Sequence, residues 1–127
     1  MEIPVGLEST NKFTVEDKHS AKNLGSGGIN VFGTPAMIAF MENIALAMIR
    51  PYLPDGHDSV GTMINAKHLK ASPIGATIIC KAKITAVEGN KISYSIFCVD
   101  EHGNDIGTAD HERFVVDVKR FLEKVSL

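Results

Sequence analysis

Thr34-Pro35 followed by AMIAFMENIALAMIR (residues 36–50) and then Pro51 is the stretch that decides the fold. Threonine is a good N-cap, and proline fits the first helical position because it has no N–H to satisfy there. Pro51 ends the run. The pattern predicts one helix from Thr34 to Arg50. Its apolar residues are not confined to one stripe. Met37, Met41, Ile44 and Met48 form one row, Ile38, Ala45 and Ile49 another, and Phe40 and Ala47 lie elsewhere. A helix apolar nearly all round belongs in the middle of a protein.

Beyond the turn signal Pro54-Asp55-Gly56 the period changes to two. Strands are predicted over 59–71, 77–87, 91–99 and 105–118, with a closing helical turn over 119–125. In the second of these, Ile78, Cys80, Ala82, Ile84 and Ala86 share one face, and Lys81 and Lys83 the other. That is a half-buried antiparallel strand. A three-residue loop, Glu88-Gly89-Asn90, pairs Val87 with Lys91 and sets Cys80 directly opposite Cys98. The cysteines read as two small buried hydrophobes rather than a functional disulfide. Upstream, residues 1–10 read as a loose start, Phe13 and Val15 as a short strand, and Asn23 to Asn30 (NLGSGGIN) as a flexible loop suited to binding.

The expected architecture is α+β: one long buried helix with a sheet of about five antiparallel strands, a single domain over residues 1–127. One helix cannot cover both faces of such a sheet. The uncovered edge or face calls for a partner, and a homodimer is the simplest.

Composition narrows the function. With 127 residues, 44% hydrophobic and 22% charged, the chain can build one real core, so wholesale disorder is excluded. A net charge of −2, dispersed basic residues and no tryptophan argue against nucleic acid. No run approaches the ~18 apolar residues needed to span a bilayer. MEIPVGLEST lacks the features of a signal peptide, and two cysteines without CxxC spacing suit a reducing compartment, so a cytoplasmic location is expected. Gly25-Ser26-Gly27-Gly28 is not a nucleotide fingerprint, the histidines lack zinc-ligand spacing, and no GxSxG elbow occurs. No metal is expected.

Five residues carry candidate chemistry. Glu42 is the only charge between Pro35 and Ile49, with Ile38, Ala39, Ala45 and Leu46 as its same-face neighbours. Desolvation there would raise its basicity; alternatively it reaches solvent or pairs with an arginine. His68 shares a face with Val60, Ile64 and Ala66 by alternation, as a core histidine or as a general base with Glu42 for a partner. Thr34 caps the helix, and its hydroxyl beside the positive helix end could also hold a carbonyl oxygen or a water. Thr34 and Glu42 lie roughly 12 Å apart along the helix, on one groove but out of contact. Arg113 shares a face with Ala109 and Val115, as a surface charge, an anion ligand or the counterion of a buried carboxylate. Gly61 interrupts a strand and suggests close approach of a ligand or of backbone.

The joint spacing of Thr34-Pro35-Ala36-Met37, Met41-Glu42, Ser59-Val60-Gly61-Thr62, His68, Ile106-Gly107 and His111-Glu112-Arg113-Phe114 resembles the fluoroacetyl-CoA thioesterase group of hotdog-fold thioesterases. The resemblance runs from about Asn30 onward. It implies a hotdog fold and a homodimeric acyl-CoA thioesterase with its sites near the subunit interface. It implies Thr34, Glu42 and His68 as catalytic residues and Gly61 and Arg113 as substrate contacts. The expected substrate is a short-chain acyl-CoA, with CoA entering only as part of the substrate and no separate cofactor. A non-catalytic acyl-CoA-binding module, a hotdog enoyl-CoA hydratase or dehydratase, and a scaffold in which Glu42 merely pairs with Arg113 are the competing readings.

Overall fold

Gly33, not Thr34, caps the long helix. In the computed structural model, which describes residues 1–126, that helix is α2 (Thr34–Ile49), preceded by a short α1 (Ala21–Leu24). Gly33 is extended (φ −78, ψ 141) and no side chain caps the turn. A Cβ on Gly33 would lie 3.0 Å from the Ala21 backbone nitrogen, so the cap position admits only glycine comfortably. Thr34 therefore begins the helix and Pro35 is its second residue. The capping role expected of Thr34 is corrected, and its hydroxyl is free for another partner.

The sheet is formed by β1 (Glu8–Thr14), β2 (His57–His68), β3 (Thr77–Glu88), β4 (Lys91–Asp100) and β5 (Asp105–Asp117), and α3 (Val118–Lys124) follows. The strand order is β1-β3-β4-β5-β2, antiparallel throughout. Helix α2 touches every strand. Met37, Met41, Ala45 and Ile49 are fully buried against Ile78, Ile84, Ile92 and Ile96. Truncating such a methionine or isoleucine to alanine costs about 2–5 kcal/mol, so this seam anchors the helix that carries Glu42. Tyr94 ties the two layers together by donating its hydroxyl to the Ala45 carbonyl (2.9 Å).

Three sequence expectations change. The chain enters the sheet at Glu8, not near Phe13; β1 is a polar edge strand whose ESTNK segment shows no apolar alternation. The β3–β4 hairpin turns on two residues, with Glu88 opposite Lys91 and Gly89 in the left-handed region (φ +63). A shift between Ile84 and Ala86 then restores the expected register, and Cys80 does face Cys98, with Sγ–Sγ 3.2 Å and both thiols free and buried. Strand β2 also contains a bulge. Gly61 pairs with Arg113, but Met63 pairs with Glu112, so Thr62 is the extra residue. An extra residue reverses the alternation. Val60 consequently does not share the face of His68. Instead Ser59 and Gly61 before the bulge and Ile64, Ala66 and His68 after it turn toward the helix.

Candidate active site

The helix start and the end of β2 meet at Thr34 and His68. The Thr34 hydroxyl Oγ1 and His68 Nδ1 are 2.8 Å apart. The first helical bond runs from Met37 N–H to the Gly33 carbonyl (3.1 Å), so the N–H groups of Thr34 and Ala36 precede the helical ladder beside this pair. Phe32 closes on the imidazole edge-to-face, with centroids 5.6 Å apart. The second ring nitrogen, Nε2, is buried without a hydrogen-bond partner. Burial pushes the His68 pKa below its ordinary 6.5, opposed by the Lys70 backbone. The ring is therefore neutral at pH 7 and competent to take a proton. A groove of about 320 Å³ opens here, lined by Thr34, His68, Phe32, Val31 and Leu69, with Lys70 beside them.

Glu42 belongs to a second cluster. Its Oε2 lies 3.8 Å from Arg113 Nη1, and its side chain keeps 41% exposure against 7% for the arginine. It is thus half-open rather than enclosed in the apolar helix: of the two readings the sequence left open, the structure has Glu42 reaching solvent beside an arginine and not desolvated among Ile38, Ala45 and Leu46. Gly61 makes room for it: a Cβ at that position would stand 2.7 Å from Glu42 Oε2. A side chain at this position would push the carboxylate aside; the strand interruption suggested close approach of a ligand or of backbone, and in the structure it is the Glu42 side chain that approaches.

Arg113 is held from behind. Its Nε donates to Ser59 Oγ (2.8 Å), its Nη2 to the Ser59 carbonyl (3.0 Å), and its Nη1 to His111 Nε2 (3.3 Å). His111 is 1% exposed and donates Nδ1–H to the Met63 carbonyl (2.7 Å). These partners assign its tautomer: a carbonyl can only accept and a guanidinium can only donate, so Nδ1 carries the proton and Nε2 is bare. Burial, reinforced by the Arg113 charge, lowers the His111 pKa against the Met63 carbonyl, Glu42 and Glu112.

Sequence reasoning singled out Thr34, Glu42, His68, Gly61 and Arg113 but expected Glu42 and His68 to meet. Within one chain they do not: Thr34 pairs with His68, while Glu42 joins Gly61 and Arg113. Ser59 and His111 stand in the quoted motifs but were given no role. The signal for His111 was present, because it alternates with Ala109, Arg113 and Val115 on the inward face of β5.

One consequence concerns pH. Both His68 and His111 have folded-state pKa values below the ordinary 6.5. The unfolded chain then binds more protons than the folded one as pH falls, so their contribution is present above that value and is lost below it. The thermal midpoint is expected to drop between pH 7 and 5, and His111→Gln should flatten that drop. An unchanged slope in a pH series of melts would contradict it.

Residues 15–119 match the family described as fluoroacetyl-CoA-specific thioesterase. A fluoroacetyl-CoA thioesterase from Streptantibioticus cattleyicolor is 36% identical over 95 residues, covering 75% of this chain and 68% of that one. A crystal structure of a variant of the fluoroacetyl-CoA-specific thioesterase in complex with fluoroacetate and CoA superposes with a TM-score of 0.89 at 30% identity, over 94% of this chain and 99% of that one. A hot-dog-like protein from Thermanaerovibrio acidaminovorans gives a TM-score of 0.88 at 26% identity, over 96% and 90% of the two chains. A long helix inside a five-stranded antiparallel sheet is the hotdog fold, and with this match in sequence the chain belongs to the fluoroacetyl-CoA-specific thioesterase family.

Proposed function

We propose that this protein hydrolyses short-chain acyl-CoA thioesters as a homodimer, in sites shared between two copies. The observation that carries the shared site is the separation of the two clusters. Gly61, where Glu42 lies, and His68 are separated by six strand steps and a bulge, roughly 20 Å of β2. Strand β2 is also one of the two edge strands of the sheet, opposite the polar edge β1. Pairing β2 with its own copy about a two-fold axis beside Asn65 keeps the alternation of both strands. Past the bulge, that register sets Gly61 opposite the partner's His68. Glu42 of one subunit then faces the partner's His68 and the partner's Thr34, so each interface builds two equivalent sites.

In such a site the thioester carbonyl lies at the start of α2. Backbone N–H groups there and the helix dipole stabilise the oxyanion, and one such donor is typically worth ~10²–10³ in rate. Glu42 either deprotonates a water that attacks the carbonyl carbon, or attacks with its own oxygen to form a mixed anhydride that water then cleaves to the free acid and the restored Glu42 carboxylate. The C–S bond breaks, and the proton removed from water is delivered to the departing CoA thiolate, with neutral His68 as the carrier. Water, acyl-CoA, free acid and CoA thiol balance without a metal or a redox step. The groove beside Thr34 and His68 takes the acyl end. The half-open Glu42 and the Thr34–His68 pair favour turnover over a binding module or a packing scaffold. A cytoplasmic location fits two buried free thiols.

The test is release of free CoA thiol across acyl chain lengths. Hydrolysis is expected to be fastest for acyl groups of two to four carbons, about tenfold or more above a long-chain ester. Thiol release that favours long chains would remove the short-chain assignment, and none at any length would remove the enzymatic one.

A further inference from the structure

We propose that His111 is a positioning residue for Glu42: fixed as a hydrogen-bond acceptor by Met63, it sets the face of the Arg113 guanidinium that meets the Glu42 carboxylate. The inference rests on the thioesterase reading of Glu42. His111 is quoted in a sequence motif beside Arg113, but it is not among the five residues given a candidate role.

The geometry is a chain of fixed contacts. Arg113 Nη1 has two hydrogens and two acceptors near it, His111 Nε2 at 3.3 Å and Glu42 Oε2 at 3.8 Å. Nε and one Nη2 hydrogen of the guanidinium are engaged by Ser59. Fixing one Nη1 hydrogen on the imidazole directs the second at the carboxylate, because the guanidinium is planar and its donors form a rigid fork. The imidazole cannot turn away. Its Nδ1–H is held by the Met63 carbonyl, immediately beyond the Thr62 bulge, and its face stacks on Tyr94 with centroids 5.5 Å apart and planes at 26°. All three groups converge on one point: a Cβ built on Gly61 meets Glu42 Oε2 at 2.7 Å, His111 Cε1 at 3.4 Å and Arg113 Nη1 at 3.5 Å.

A buried imidazole is an odd choice for filling space. Tyr94 and the apolar floor would accept a phenylalanine there, and burying an imidazole without both partners is costly. What the imidazole supplies is an acceptor toward a buried arginine that adds no negative charge. A carboxylate at this position would draw the guanidinium away from Glu42; a hydrocarbon would leave its inner edge unsatisfied.

Three variants separate the contacts. In His111→Gln the amide reaches the Nε2 position and restores the acceptor for Arg113. In His111→Asn the amide reaches only the Nδ1 position and the Met63 carbonyl. In His111→Phe the stacking on Tyr94 is kept and both bonds are lost. Steady-state hydrolysis of the acyl-CoA that the wild type turns over fastest is the readout. Gln is expected to keep kcat within about threefold of wild type, while Asn and Phe lose about tenfold or more, with KM moving less than about threefold throughout. Gln no better than Phe, Asn equal to Gln, or a loss confined to KM overturns the inference. If the Phe variant does not fold, the Gln-to-Asn ratio of kcat decides alone. A flat His111 series on an active wild type overturns the inference and leaves the thioesterase reading standing; an inactive wild type overturns both.

Discussion

Glu42→Gln is expected to lower kcat for thioester hydrolysis by roughly 10³-fold or more while the protein stays folded. The amide keeps the size of the side chain and keeps an oxygen for Arg113 Nη1, so the contact at 3.8 Å survives in neutral form. What disappears is the negative oxygen that attacks the carbonyl or deprotonates water. The arginine stays engaged by Ser59 and His111, so the buried cation is not orphaned. KM should therefore change little, since the groove beside Thr34 and His68 is untouched. Glu42→Asp gives a graded control: it keeps the charge and withdraws it by one methylene, about 1.5 Å, which should cost roughly 10²-fold. Undiminished turnover in the Gln variant would show that Glu42 only balances Arg113, and the enzymatic assignment of this residue would be wrong.

The sequence made α2 legible because proline at both ends and a continuous apolar run leave little choice of element. It made the β3–β4 hairpin legible, but Cys80 faces Cys98 only because the two-residue turn and the extra residue at Thr85 offset each other, where a three-residue loop was expected. An inserted residue leaves no mark in the alternation itself. The bulge at Thr62 carries no signature in its own side chain, yet it reverses the alternation of β2. That reversal brings Ser59 and Gly61 to the inner face and removes Val60 from it. The hydroxyl of Thr34 was assigned to capping because nothing local distinguishes it from a cap; the steric demand of Ala21 on Gly33 is a tertiary contact. His111 stands in the quoted motif His111-Glu112-Arg113-Phe114 and among the histidines that lack zinc-ligand spacing, but was given no role of its own. Its place between Ala109 and Arg113 on a strand already assigned an inner face would have recovered it. Glu42 was legible as an isolated charge, but not its degree of exposure. That depends on how the row Thr34, Ile38, Glu42, Leu46 is covered, and a single chain leaves this row only partly covered.

Mixing two inactive variants should restore activity, and the amount restored reports where each site draws its residues. Take Glu42→Gln in one chain and His68→Ala in the other, with different affinity tags so that the heterodimer can be isolated. If every site combines Glu42 of one subunit with Thr34 and His68 of the other, the heterodimer contains one intact site and one site lacking both groups. Its specific activity should be about half that of the wild type, against a background near zero for each parent homodimer. If instead each site is built within one chain, both sites of the heterodimer carry one defect and nothing is recovered. The 2.8 Å contact between Thr34 and His68 extends the argument, because these two residues travel on the same chain. Thr34→Ala should complement Glu42→Gln to the same degree as His68→Ala does. It should fail to complement His68→Ala, since the two defects then strike both sites. Recovery in that last pair would mean that Thr34 and His68 serve different sites, which their hydrogen bond forbids.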